Sequence, residues 1–321
     1  MRINKWNFIP LIKSNTGVAL IIAVSLLGIF SLLGMYYVRS SEIDLKRVSL
    51  LLDDLRVREY TRAGLNVVLT EIEKRWGNGT IEELISKGEF QVDVPYYVSI
   101  YKGDGKVELD VSDTVRVSVR IKVYDESGKV NINLVPVSVI QKILKVDGET
   151  ARRLKSEFDL QSGGRWLYVL DEIYSKGVSP DNISLEDIYK SLSTWNAGSP
   201  DNPIPYLNVN KASSDVLKAV FNLNDAEVEK VISARPFKSL EELINLIGKD
   251  PSSFNIKIGN LSDTEWAFPF TGKSNSFKVV VTGELKREVL GSHPRTTSYS
   301  LEVGIVIVDG KAKVVWNRLL K

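Results

Sequence analysis

From Val18 to Val38 the chain carries no formal charge. A helix of that length, rising about 1.5 Å per residue, crosses the roughly 30 Å hydrocarbon core of a bilayer. Beyond it the apolar positions change character. Ile43, Val48, Leu51, Leu52, Leu55, Tyr60, Leu65, Val68, Leu69 and Ile72 recur near helical spacing among charges as far as Gly77-Asn78-Gly79. This pattern predicts that the same helix continues past the membrane to about residue 76 with one apolar face. It also fits an ordinary amphipathic helix packed on its own domain.

The period then switches to two. Tyr96 to Ile100, Val107 to Leu109 and Val115 to Tyr124 alternate apolar with polar residues, and Lys102-Gly103-Asp104-Gly105 supplies a turn. Ser276 to Leu285, Thr297 to Val308 and Lys313 to Trp316 repeat the pattern near the other end, linked by Gly291-Ser292-His293-Pro294 and by Asp309-Gly310. The middle has helical texture: Val137 to Leu144, Thr150 to Phe158, Leu167 to Tyr174, Leu185 to Leu192, Ser213 to Phe221, Asp225 to Ala234 and Ser239 to Leu246. Asp147, Asp225 and Ser239 stand where N-caps belong. Strands, then helices, then strands predict an α+β chain in which a helical domain over 134–270 interrupts a sheet domain of 90–133 and 274–321.

Charge orients the apolar helix. Arg2, Lys5 and Lys13 precede it without an acid, so the positive-inside rule predicts a cytoplasmic N-terminus and a body on the far side of the membrane. Gly28, Ser31 and Gly34 put small residues on one helix face, where another helix can approach closely. A cleaved secretory signal would have a shorter apolar region and a small-residue cleavage site after it. Overall, 42 Lys and Arg offset 40 Asp and Glu, so the net charge of +2 attracts neither nucleic acid nor anionic lipid globally. The chain has no Cys and a single His, His293, which removes disulfides, thiol nucleophiles and zinc clusters.

The junction Lys13-Ser14-Asn15-Thr16-Gly17, set directly against Val18-Ala19-Leu20-Ile21-Ile22, resembles a class III, prepilin-type leader. In such leaders a membrane peptidase cuts after the Gly, here between Gly17 and Val18, and leaves the apolar helix on the mature protein; a plain uncleaved anchor is the competing reading. Further along, Asp125-Glu126-Ser127-Gly128-Lys129-Val130-Asn131-Ile132-Asn133 resembles the junction of type II secretion system protein K, the large minor pseudopilin. Asn208, Asn210, Ala212 and Leu217, in the run from Leu207 to Leu217, are similar to that family's second signature. Arg235, Pro236, Phe237 and Leu240, in the run from Ala234 to Leu243, are similar to a third, and Ser274-Asn275-Ser276-Phe277-Lys278-Val279 resembles the strand that re-enters the sheet.

The resemblance implies a pilin-like α/β domain interrupted by a helical SAM-like or helix-hairpin-helix domain. It implies a chain held in the inner membrane by one helix, with its body in the periplasm, at the tip of the secretion pseudopilus. The implied partners are I-type and J-type minor pseudopilins, the prepilin peptidase, the inner-membrane platform of the secretion system and the lipid bilayer. At the fifth mature position, where most pilin-type helices carry Glu, this chain has Ile22, as K-type subunits have an apolar residue.

Rival chemistries are weaker. Leu207 to Leu246 also resembles the helix-hairpin-helix repeats of DNA-uptake proteins, but Asn222-Leu223-Asn224 replaces the paired glycines that present backbone N–H groups to phosphate. Asp215, Asp225, Glu227, Glu229, Glu241 and Glu242 surround that turn and would repel nucleic acid. Calcium has been associated with the inserted domain of K-type pseudopilins, and Asp181 and Asp201 are the candidate ligands here; without a dense acidic run, a solvated loop is the preferred reading. Ser292 beside His293 has no identifiable orienting carboxylate, so no catalytic role is expected. Trp166, Trp195 and Trp266 read as core or loop anchors.

Overall fold

The computed structural model describes residues 12–94, 97–101, 107–111, 115–158, Leu167, 169–179, 183–196, 198–199, 202–203, 207–255, 273–288 and 294–320. It is an α+β structure with a long apolar N-terminal helix and an antiparallel sheet. The chain divides into two compact units, one ending at Arg56 and one running from Val57.

Helix α1 runs unbroken from Ile12 to Asn78, 67 residues. In the first unit the large apolar side chains from Val18 to Val38 are exposed, and this stretch is long and apolar enough to cross a membrane. A Cβ added at Gly28 or Gly34 would meet nothing within 4 Å, so the small-residue face is open. Exposure of large apolar side chains continues to Leu55.

In the second unit, the end of α1 lies on one face of a five-stranded sheet. After α2 (Ile81–Lys87) come β1 (Glu89–Val94), the hairpin β2 (Tyr97–Tyr101) and β3 (Val107–Val111), and β4 (Val115–Asp125). A mostly helical segment follows: β5 (Val130–Asn131), α3 (Val137–Leu144), α4 (Gly148–Phe158), α5 (Glu172–Ser175), α6 (Leu185–Ser191), β6 (Leu192–Ser193), β7 (Gly198–Ser199), β8 (Asn202–Pro203), α7 (Ser214–Phe221), α8 (Asp225–Ser233) and α9 (Leu240–Ile247). The chain closes with β9 (Ser276–Arg287), β10 (Arg295–Val308) and β11 (Lys311–Leu320). The large sheet has the order β1-β4-β9-β10-β11, so the helices fall in chain order between two adjacent strands.

Strand alternation explains the packing. Val117, Val119, Ile121 and Val123 of β4 and Phe277, Val279 and Val281 of β9 are all buried, and Val119, Ile121, Val279 and Val281 share a cluster with Val68 and Ile72 of α1. Each such side chain contributes about 1.5–3 kcal/mol by leaving water. Two glycines let helix and sheet meet closely: a Cβ on Gly64 would lie 2.6 Å from Val119 Cγ1, and one on Gly283 would lie 3.1 Å from the Val57 carbonyl. Asp309 and Gly310 join β10 to β11 with φ of 52° and 76°, the positive values that a two-residue type I′ hairpin requires. The free edge at β11 is guarded: Glu73 accepts a hydrogen bond from the Ala312 N–H at 2.8 Å, and a bulge lies beside Gly304 and Ile305.

A second apolar cluster belongs to the helices, with Ile140, Leu144, Leu154, Phe158, Leu217 and Phe221 among its fully buried members. Val130 and Ile132 are buried there as well. Asp147 accepts hydrogen bonds from the Glu149 and Thr150 N–H groups, and Ser239 caps α9 through the Glu242 N–H, as expected.

Several expectations need correction. The cap of α8 is Asn224 and not Asp225, because Asn224 and Glu227 form a reciprocal capping box. Leu167 to Tyr174 is not one helix: among the described residues there, helix begins only at Glu172, in Glu172–Ser175. Leu167 has its N–H and carbonyl bound to the side chain of Asn133, which takes both groups away from a helix ladder. Helix α2 and strand β1 lie where the sequence pattern marked no element. The turns at Lys102 to Gly105 and at Gly291 to His293, together with Trp166, Trp266, Asp181 and Asp201, lie outside the described residues.

Candidate functional site

Strand β4 ends where β9 begins, with Asp125 opposite Phe277 in register. The chain therefore leaves the sheet and returns to it at one place, and the polar residues there are wired together. Asp125 Oδ1 accepts from the Ser127 N–H at 2.9 Å, a local turn that aims the Ser127 hydroxyl back at the returning strand. Ser127 Oγ accepts from the Asn275 and Ser276 N–H groups at 2.8 and 2.9 Å. The Ser274 hydroxyl donates to Asp125 Oδ2 and accepts from Asn208 Nδ2. Asn208 donates its N–H to the Ser127 carbonyl at 2.7 Å, and the Trp76 indole N–H of α1 donates to the Ser274 carbonyl at 2.9 Å. Ser127, Asn208, Ser274 and Ser276 are all buried, so each bond replaces water that the interior excludes.

The same principle governs the neighbouring residues. A Cβ on Gly128 would lie 2.3 Å from the carbonyl of Lys211, so only glycine lets these two backbones touch. Asn131 Oδ1 accepts from both the N–H and the side-chain amide of Asn133 at 3.0 Å. Asn133 in turn holds the Leu167 N–H at 2.7 Å. Asn210 faces Phe237 as a strand neighbour would: its Oδ1 accepts the Phe237 N–H at 2.8 Å and its Nδ2 donates to the Phe237 carbonyl at 3.0 Å. Arg235 donates to the Ala212 carbonyl at 2.6 Å, and burial lowers its pKa. Leu217 is fully buried, Leu240 packs partly buried against the helical cluster, and Pro236 is exposed. The structure thus brings Asp125, Gly128, Asn208, Asn210, Ala212, Arg235 and Phe237 into linked contacts. Gly17, Val18 and Ile22 belong to α1, where Val18 and Ile22 are exposed.

Beside this junction sit charges that sequence reasoning missed. Glu126 is 4% exposed, and both its oxygens lie 2.7 Å from Lys129 Nζ. Desolvation raises the Glu126 pKa and lowers that of Lys129, in each case against the attraction of the partner. Asn196, also unforeseen, donates its side-chain amide to the carbonyls of Glu126 and Lys129. Asn131 Nδ2 and Asn196 Oδ1 are buried without a hydrogen-bond partner among the described residues. Nearby, Trp195 lies over Gly304 and stacks on Trp316 with centroids 6.3 Å apart. Tyr189 donates to Asp171 at 2.8 Å and has its pKa raised to about 12, first by burial and then by that bond. In one dimension Glu126 and Lys129 read as solvated charges; only the Asp-Glu-Ser-Gly run around them marks a turn.

Comparison with family models, with curated proteins and with solved structures found no match to this chain.

Proposed function

We propose that the chain is a K-type minor pseudopilin, placed at the tip of the type II secretion pseudopilus, where it initiates assembly and helps export folded proteins across the outer membrane. The observation that supports this best is the buried junction. Segments resembling three separate signatures of that family, around Asp125, Asn208 and Ser274, form one hydrogen-bonded unit where the sheet strands β4 and β9 meet. The Arg235 and Phe237 segment joins it through Ala212 and Asn210.

On this reading the sheet with the end of α1 is the pilin-like domain, and the helices between β4 and β9 are an inserted SAM-like or helix-hairpin-helix domain. The apolar part of α1 is the inner-membrane anchor, cytoplasmic at its start, with the body in the periplasm. The prepilin peptidase removes the leader between Gly17 and Val18, and the I-type and J-type minor pseudopilins and the inner-membrane platform are the partners. Nucleic-acid binding is disfavoured by the α7–α8 turn, where Asn222 takes the left-handed conformation with φ 55° and no paired glycine offers free N–H groups.

The test is deletion of the gene with complementation by the full-length chain, followed by assay of secreted proteins and by affinity purification in mild detergent. Loss of secretion and co-purification of I-type and J-type pseudopilins are expected. Intact secretion with loss of surface pili would instead identify a minor pilin of a type IV pilus.

A further inference from the structure

Helix α1 stops at Asn78 in a defined way. The Thr80 N–H donates to the Arg75 carbonyl at 2.8 Å, and the Gly79 N–H donates to the Trp76 carbonyl at 3.2 Å. With Gly79 at φ 74°, these two bonds make a Schellman motif, whose residue after the cap takes the left-handed conformation that glycine adopts without strain. Asn78 is therefore the C-cap, and the stop of the helix calls for a glycine directly after it.

That glycine leaves Asn78 open to attack by its own main chain. The amide nitrogen following an asparagine can attack the side-chain carbonyl, and the next side chain is what crowds the approach; glycine has none. Asn78-Gly79 is the one Asn-Gly pair in the sequence. Both residues are exposed, and a Cβ placed on Gly77 or Gly79 would meet nothing within 4 Å among the described residues. The bond from Gly79 to Trp76 opposes the attack, but helix ends open at little free-energy cost. Asn131, Asn133 and Asn208 of the junction are instead buried, and their side chains are hydrogen-bonded.

We propose that Asn78 is a site of spontaneous deamidation. The Gly79 nitrogen gives its proton to solvent and bonds to Asn78 Cγ; the Cγ–Nδ2 bond breaks, ammonia leaves and a five-membered succinimide forms. Water then opens the ring at either carbonyl, leaving aspartate or isoaspartate. Both products place a carboxylate at the negative end of the helix dipole. Isoaspartate also adds a methylene to the main chain between the last helical turn and Gly79, which pulls the two capping bonds out of register. The change falls two residues from Trp76, whose indole ties α1 to the Ser274 carbonyl at the junction. This chemistry does not depend on the secretion reading.

The full chain in detergent micelles, incubated at mildly alkaline pH and digested in heavy-oxygen water, tests the site by peptide mass spectrometry. Conversion before digestion leaves ordinary oxygen at residue 78, whereas conversion during digestion leaves the heavy isotope there. The reference is Asn66, exposed on α1 and followed by Val67. Asn78 is expected to convert at least tenfold faster than Asn66 and to give two products separable by chromatography. Gly79→Ala should slow the conversion at least fivefold and Gly77→Ala should leave it unchanged, with circular dichroism checking that both variants are folded. Conversion of Asn78 no faster than that of Asn66, heavy oxygen alone at residue 78, or a Gly79→Ala chain that reacts as fast as wild type would each overturn the proposal.

Discussion

A Cβ placed on Gly304 would lie 2.6 Å from Cδ2 of Trp195, so the indole occupies the space that any other side chain at that position would need. The residue is 7% exposed, and its ring also stacks on Trp316, the cross-strand partner of Gly304. Gly304→Ala therefore forces the indole or the strand to move, and the expected cost is about 1–3 kcal/mol from overpacking. Trp195→Ala should cost about 3–5 kcal/mol by leaving a cavity. In the double variant the two effects should fall short of their sum, because with the indole gone the added methyl no longer clashes. Urea unfolding of the four proteins in detergent measures this.

Gly128 poses a harsher case, because its neighbour is backbone. With the Lys211 carbonyl 2.3 Å from the site of a Cβ, Gly128→Ala must separate the turn after β4 from the segment before α7. The loss should exceed about 3 kcal/mol, and Asn208 should lose its bond to Ser127 at the same time. Gly77→Ala is the control: nothing lies within 4 Å of that site, and alanine favours helix by up to about 1 kcal/mol. Thermal melts that place Gly128→Ala beside Gly77→Ala would show that the backbone contact contributes nothing.

How far these features could be read in one dimension depends on what each residue answers to. Val115 to Tyr124 alternates because one face of β4 is buried, so the strand is visible locally. The helices α3, α7 and α9 carry their apolar stripe and their stops in sequence, with Gly248 in the left-handed conformation ending α9. Leu167 to Tyr174 shows the limit: its apolar spacing suits a helix, but Asn133, distant in sequence, claims the backbone of Leu167. Asn224 won the cap of α8 because capping depends on a side chain reaching a particular N–H, which composition does not fix. Within the junction, Asp125, Gly128, Asn208 and Asn210 were legible only through resemblance. The burial of Glu126, Lys129, Asn196 and Glu302 was not, since nothing in a polar residue's neighbours announces that it will be buried.

The buried pair Glu126–Lys129 predicts an unusual pH dependence. The Glu126 pKa is raised in the folded chain, so its contribution to stability is fully present below its ordinary value of 4.5 and is lost as pH rises through the raised value. Asp147, Asp187 and Asp250 run the other way: hydrogen bonds lower their pKa values, so their contributions fade as pH falls through those lowered values. Relative to Glu126→Gln, the wild-type chain should therefore gain stability as pH is lowered from neutral toward 4.5. Lys129→Met, which leaves the Glu126 carboxylate buried without its partner, should be destabilising by about 3–5 kcal/mol, while the double replacement Glu126→Gln with Lys129→Met should come close to neutral. A double variant as unstable as the worse single one would mean that the ion pair supplies stability and not merely neutralisation.

The last prediction concerns the apolar helix and follows from the cost of a charge in lipid. Ile22 is exposed on α1 within the stretch long enough to cross a membrane. A carboxylate there costs about 2.5–3.5 kcal/mol on insertion scales unless it is paired, and in a filament the available partner is the N-terminal amine of a neighbouring subunit. An elongating subunit has such a neighbour above it, whereas a subunit at the tip has none. If the chain caps the pseudopilus as proposed, Ile22→Glu gains no partner and should lower insertion and secretion, while Ile22→Leu should behave as wild type. The same glutamate in a subunit that elongates the filament should help assembly. Membrane fractionation, secretion assays and immunogold labelling of pseudopili separate the cases. Labelling of Ile22→Glu along the whole filament with secretion undiminished would show that its carboxylate finds an amine there, and the tip assignment would then have to be abandoned.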